Sequence, residues 1–314
     1  ESQAFYQPCP TGMTCKGGVE DVGALYLKHA QPTVPYGYYS SVEDLAVFKC
    51  WDSPGRCPGG NVGTCAPGRT DIQCAKCEPG FKPDEKDTCT PCKGGDTVPA
   101  VLAAIAMLLV ITGAYYTIDT QDRSKQTHSM LLVAISGSQV FTLIQMLGAV
   151  SMVSVDWPDH LVWLLSLSRV FVLDLELMNL DCLVELSPTA RFVAKILLFV
   201  LILLLICVIH VGFVMIKYGG KFRERSSSLV GALGVTFMMF FISVVSTVLA
   251  PLHCVDHPSG VSTVRVYQTV VCWEGHEHTT MVILAFVGAL LPIAFLALDV
   301  WAVRVYPQKM TEGD

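Results

Sequence analysis

The chain has 314 residues, a net charge of −6, 52% hydrophobic residues and 15% charged residues. Soluble globular proteins carry about 25% charged residues, so an ordinary soluble domain is excluded, and with no basic stripe nucleic acid is not an expected partner. The mean hydropathy of +0.50 is unevenly spread: residues 1–97 are polar and rich in Gly, Pro and Cys, whereas long apolar runs dominate from Val98 onward.

The first region opens on Glu1 with no signal peptide, so a mature form or an excerpt of a longer chain is expected. Nine of the thirteen cysteines lie here: Cys9, Cys15, Cys50, Cys57, Cys65, Cys74, Cys77, Cys89 and Cys92. Between them run turn-forming pieces such as "SPGRCPGGNVG" and "CEPGFKPDEKDTC", with little to build a core. A region so poor in core and dense in cysteine is held by disulfides, which form outside the cytosol. The Cys74-x2-Cys77 and Cys89-x2-Cys92 spacings resemble a zinc ribbon, the competing reading; the Gly/Pro-rich context favours disulfides. Residues 1–97 are therefore expected to form an exoplasmic domain. The two asparagines, Asn61 and Asn179, lie in no N-x-S/T sequon, so N-glycans are not expected.

A membrane helix needs about 20 apolar residues. Five stretches qualify: 98–118, 130–153, 192–216, 229–252 and 280–303, the last with a kink expected at Pro292. The stretch 159–186 is apolar too, but carries Arg169, Asp174 and Glu176, and each such charge costs roughly 3 kcal/mol near the centre of a span. Orientation separates the alternatives. If 159–186 does not cross, Arg123, Lys125, Lys217, Lys221, Arg223, Arg225, Arg304 and Lys309 fall on the cytosolic side, and only Arg191 and Arg265 lie in outer loops. The positive-inside rule favours this arrangement of five spans with 159–186 interfacial or re-entrant, followed by a cytosolic tail at 305–314. Six spans is the alternative. The polar cluster Arg169, Asp174 and Glu176 then sits either in the headgroup region or along a polar cavity for cations. His210, deep in the 192–216 run, is either a functional group or a neutral imidazole bonded to a neighbouring helix.

The loop between the last two runs, "LHCVDHPSGVSTVRVYQTVVCWEGHEH", has Cys254-x2-His257 and Cys272-x3-His276 spacing, which suits zinc. On an oxidising side the same cysteines form a disulfide, and five spans put them there. Cys254 and Cys272 are thus disulfide candidates with the nine above. His257 and His276 are retained as lesser metal candidates, against a polar, solvated loop tied by its disulfide. Counting Cys182 with the outer cysteines gives an even dozen, leaving Cys207 in a span.

The pieces "VFKCWDSPGRCPGG", "GTCAPGRTDIQCAKCEPGF" and "TCTPC" resemble ephrin-receptor-like and EGF-like cysteine-rich modules, here spanning about 48–93. In multi-pass membrane proteins of protists such modules directly precede a helical bundle, and "APLHCVDHPSG…VVCWEGHEH" before an apolar helix is similar to that group. Their helical part is distantly similar to TRP-like and polycystin-like channels. The expected fold is a small disulfide-rich exoplasmic module (1–97) followed by an all-α transmembrane bundle (98–304). No catalytic signature is present, so an enzyme is not expected, and neither is a cofactor. The expected function is a plasma-membrane receptor- or adhesion-like protein that binds an extracellular protein or glycan through the module, with homo-oligomers allowed. The alternative is a TRP-like or polycystin-like cation channel subunit.

Overall fold

A computed structural model of the chain describes residues 9–15, 32–84 except 52, 88–120 except 94, 96 and 97, 136–148 except 138 and 141, then 158, 182 and 186–312. The chain divides into two compact units. One comprises Glu1–Gly94, Asp181–Pro188 and Ala250–Thr279; the other comprises Gly95–Leu180, Thr189–Leu249 and Thr280–Asp314. The first unit therefore contains more than the N-terminal region: two later segments, expected as part of the helical domain, belong to it.

Short strands build this first unit. Among the described residues they pair as two-stranded antiparallel sheets: β1 (Thr33–Val34) with β4 (Gly60–Asn61), β2 (Tyr38–Ser40) with β3 (Val47–Lys49), β5 (Arg69–Thr70) with β6 (Lys76–Cys77), β7 (Phe81–Pro83) with β8 (Cys89–Pro91), and β9 (Cys254–Asp256) with β10 (Ser262–Val264). Two-stranded ribbons are marginal alone, and disulfides hold these together. The bonds are Cys9–Cys15, Cys50–Cys57, Cys65–Cys74, Cys77–Cys89, Cys92–Cys182 and Cys254–Cys272. The ribbon-like pairs Cys74/Cys77 and Cys89/Cys92 are thus divided among three different disulfides, and no thiolate set for zinc remains there. Cys50, Cys57 and Cys74 are buried together beside Tyr39 and Cys65, so sulfur supplies the core that aliphatic side chains do not. One turn admits only glycine. A Cβ on Gly59 (φ +74°) would stand 2.7 Å from the Val34 carbonyl oxygen and 2.8 Å from the Pro35 carbonyl carbon.

The second unit is helical: α1 (Val98–Thr120), helical turns between 136 and 148, α2 (Pro188–Tyr218), α3 (Phe222–Leu249) and α4 (Gly275–Glu312). Among the described residues three helices are long and apolar enough to cross a membrane, at Pro188–Tyr218, Phe222–Leu252 and Gly275–Val305. At about 1.5 Å per residue the 31 residues of α2 extend well beyond a hydrocarbon core of about 30 Å. Helix α4 continues through Pro292. Aromatic contacts join these helices: Phe199 of α2 meets Phe237 of α3 edge-on at 5.1 Å, and Phe237 stacks on Phe295 of α4 at 4.2 Å. Buried Tyr115 of α1 packs with Ile202, Ile206 and Ala232. The Tyr115 hydroxyl and His210 Nδ1 are 2.6 Å apart, so the imidazole is bonded to a neighbouring helix. Gln145 donates to the Met239 carbonyl. Leu197, Leu201, Leu204, Val208, Val211 and Met215 of α2 point outward and exposed. Polar contacts inside with an apolar exterior suit a lipid solvent. The chain has the make-up of an integral membrane protein with a disulfide-rich extracytosolic module.

Candidate functional site

Among the described residues of the first unit, an organised polar site lies where the β9–β10 hairpin meets strand β3. Its sequence is "CVDHPSGVSTV", and the hairpin turn is built by Pro and Gly. His257 N–H donates to the Val261 carbonyl and Gly260 N–H to the His257 carbonyl, both at 2.9 Å, with Gly260 at φ +81°. The turn thereby projects His257 into the module, where its side chain is 5% exposed and packs edge-on against Phe48 at 5.3 Å. Beside it Ser259 Oγ donates to the Val47 carbonyl at 2.9 Å.

Geometry fixes the proton on His257. The backbone N–H of Lys49 donates to Nδ1 at 3.0 Å, so Nδ1 is an acceptor. The neutral ring therefore carries its proton on Nε2, which donates to Thr263 Oγ1 at 2.8 Å. Gln73, fully buried, donates through Nε2 to the same hydroxyl at 2.8 Å and to the Gln268 carbonyl at 3.0 Å. Its amide protons are thus committed, and its 3.4 Å approach to His257 Nε2 brings two donors together. Arg56 Nη1 adds a bond to Gln268 Oε1 at 3.3 Å. Burial pushes the His257 imidazole down from 6.5 to about 4, against a smaller opposing effect of the Asp256 carboxylate. Nearby, burial raises the Tyr39 phenol, and the Asp71 charge adds to it.

Other histidines of the loop do different work. His278 Nδ1 accepts from Trp273 N–H at 3.0 Å, and its Nε2–H donates to the Pro251 carbonyl at 2.9 Å. His278 thus bonds backbone on both sides of the disulfide-closed loop. Its ring lies within 4.8 Å of the Cys254 and Cys272 sulfurs. Those sulfurs are joined to each other, and both imidazole nitrogens are occupied, so this cluster is a structural one. His276 lines an exposed depression of about 300 Å³ with Glu274 and Glu277. His257 and His276 therefore serve separate places and do not converge as ligands. Arg169, Asp174 and Glu176 lie outside the described residues.

The loop is less solvated than its composition suggests: His257, Thr263, Val264, Tyr267, Val270, Cys272 and His278 are all buried. The turn "HPSG" and the flanking cysteines were legible signs of a closed hairpin. The partners Gln73 and Lys49, 184 and 208 residues away in sequence, carried no local sign. A cationic surface borders the site, where the Lys49 ammonium stands 4.0 Å and the Arg265 guanidinium 5.7 Å from the Trp51 ring centroid. No protein-family model and no solved structure matches the chain.

Proposed function

We propose that this chain is a multi-pass cell-surface protein of the receptor or adhesion kind, whose compound ectodomain binds an extracellular protein or glycan. One observation carries the proposal: three separated chain segments share one disulfide-stapled extracytosolic body. Such a body is preorganised, which lowers the ordering cost of binding. Tyr36 and Trp273 are 66% and 71% exposed on it, and aromatic side chains are the favoured anchors of interfaces. The same observation supports a five-span topology, with spans at 98–118, 130–153, 192–216, 229–252 and 280–303. The Cys92–Cys182 bond supports this reading, because a disulfide joins residues on one side of a bilayer; under it 159–186 is interfacial or re-entrant from the outer side.

The test uses the full chain in nanodiscs and in proteoliposomes. Specific binding to an extracellular protein or glycan array, lost when the disulfides are reduced, supports the proposal. A gated cation flux from the purified protein, with no such binding, overturns it in favour of a channel. An impermeant amine label on intact cells that reaches Lys217 or Lys221 overturns the topology.

A further inference from the structure

We propose that the β9–β10 hairpin and the cysteine-rich module form an acid-released clasp whose trigger is His257. The inference concerns regulation of the ectodomain's shape and is independent of what that ectodomain binds.

The geometry allows only the neutral ring. Docking requires Nδ1 to accept the Lys49 N–H, and a doubly protonated ring has no acceptor. A proton arriving at Nδ1 would face the Lys49 N–H across 3.0 Å, so the hydrogen bond becomes a repulsive contact. Among the described residues no carboxylate is bonded to the ring to compensate for the new charge. The ring's other neighbours are the Phe48 ring, the Thr263 hydroxyl and the Gln73 amide, whose Nε2 already faces it as a donor. The charged groups of the surrounding elements are otherwise engaged. Asp71 is bonded to Lys76 at 2.7 Å, Arg56 reaches Gln268, and the Lys49 and Arg265 cations lie over Trp51. The Tyr39 phenol of β2 is neutral at these pH values, its burial holding it further from ionising. Asp256, adjacent in the chain, is among the described residues the one carboxylate whose charge favours the protonated ring, and its effect is smaller than that of burial. Acid therefore drives the imidazole out to water, and the hairpin tip with Pro258 and Ser259 leaves with it. The disulfides within the module and across the Cys254–Cys272 loop remain closed, so the change is an opening of one seam rather than unfolding of either piece. Exoplasmic surfaces meet such pH in acidified compartments.

The size of the switch follows from linkage. An undocked ring at 6.5 and a docked ring at about 4 make the open form roughly 25-fold more populated at pH 5.0 than at pH 7.4. The Lys49 amide reports this directly, because it is the donor to His257. Hydrogen exchange of the full chain in detergent micelles, corrected for intrinsic chemistry, is expected to show Lys49 protection falling roughly 25-fold over that interval. In His257→Asn, whose side-chain oxygen can accept from Lys49 N–H without titrating, protection is expected to be pH-independent. In His276→Gln the full drop is expected to remain. Unchanged Lys49 protection in the native protein, or a drop that persists in His257→Asn, overturns the proposal. Should His257→Asn fail to fold, the proton titration of His257 in the native protein decides the matter: a midpoint near 6.5 overturns the clasp, and one well below it supports the clasp.

Discussion

Truncating Gln73 to Ala tests the architecture of the hairpin site most sharply. The side chain is fully buried and donates twice, to Thr263 Oγ1 and to the Gln268 carbonyl. Each neutral hydrogen bond contributes about 1 kcal/mol net. The one lost methylene contributes about 0.8 kcal/mol, so with the two hydrogen bonds the hairpin is expected to lose about 3 kcal/mol of its resistance to opening. Left-handed backbone at Gln73 (φ +58°) is unaffected, since Ala is as strained there as Gln. The assay is native-state hydrogen exchange of amides in 254–264, because opening of a sub-structure need not follow global unfolding. A cycle with Thr263→Val isolates the shared bond, and a coupling of about 1 kcal/mol is expected. If Gln73→Ala changes the hairpin opening free energy by less than about 0.5 kcal/mol, or the two changes simply add, Gln73 does not hold the hairpin and the reasoning fails.

Gly59→Ala forces a Cβ against the Val34 carbonyl at φ +74°, and a loss of about 2 kcal/mol or more, seen as poor yield of disulfide-complete protein, is expected. Tyr115→Phe removes the bond to His210 between α1 and α2; a loss of about 1 kcal/mol in a detergent unfolding titration is expected, and none if the contact is incidental. Replacing Cys92 and Cys182 by Ser opens a tie of sequence separation 90, worth roughly 4.6 kcal/mol in the chain-entropy account. Protease cleavage near 182–187 should then rise, and unchanged cleavage would show the tie to be dispensable. The first unit should also lose stability in acid. The His257 ring binds its proton less readily docked than free, so its contribution is complete above 6.5, falls as pH drops from 6.5 towards 4, and is flat below. The integrated loss is about 3 kcal/mol, and a melting temperature that does not change between pH 7 and pH 4.5 would count against it.

Local chemistry determined much of this protein from sequence. The polar, cysteine-dense opening cannot bury enough apolar surface to fold without covalent ties, and runs such as 192–216 and 280–303 have no solvent but lipid. Those statements need only composition and period. Which cysteine joins which is a different kind of fact. Cys92 meets Cys182, and His257 meets Lys49 and Gln73, across long stretches of intervening chain, and no spacing encodes such meetings. The tertiary structure also decided the state of His257. Its residue type offers a metal ligand, an exposed base or a neutral acceptor, and only the burial of the ring and the donor at Nδ1 select the last.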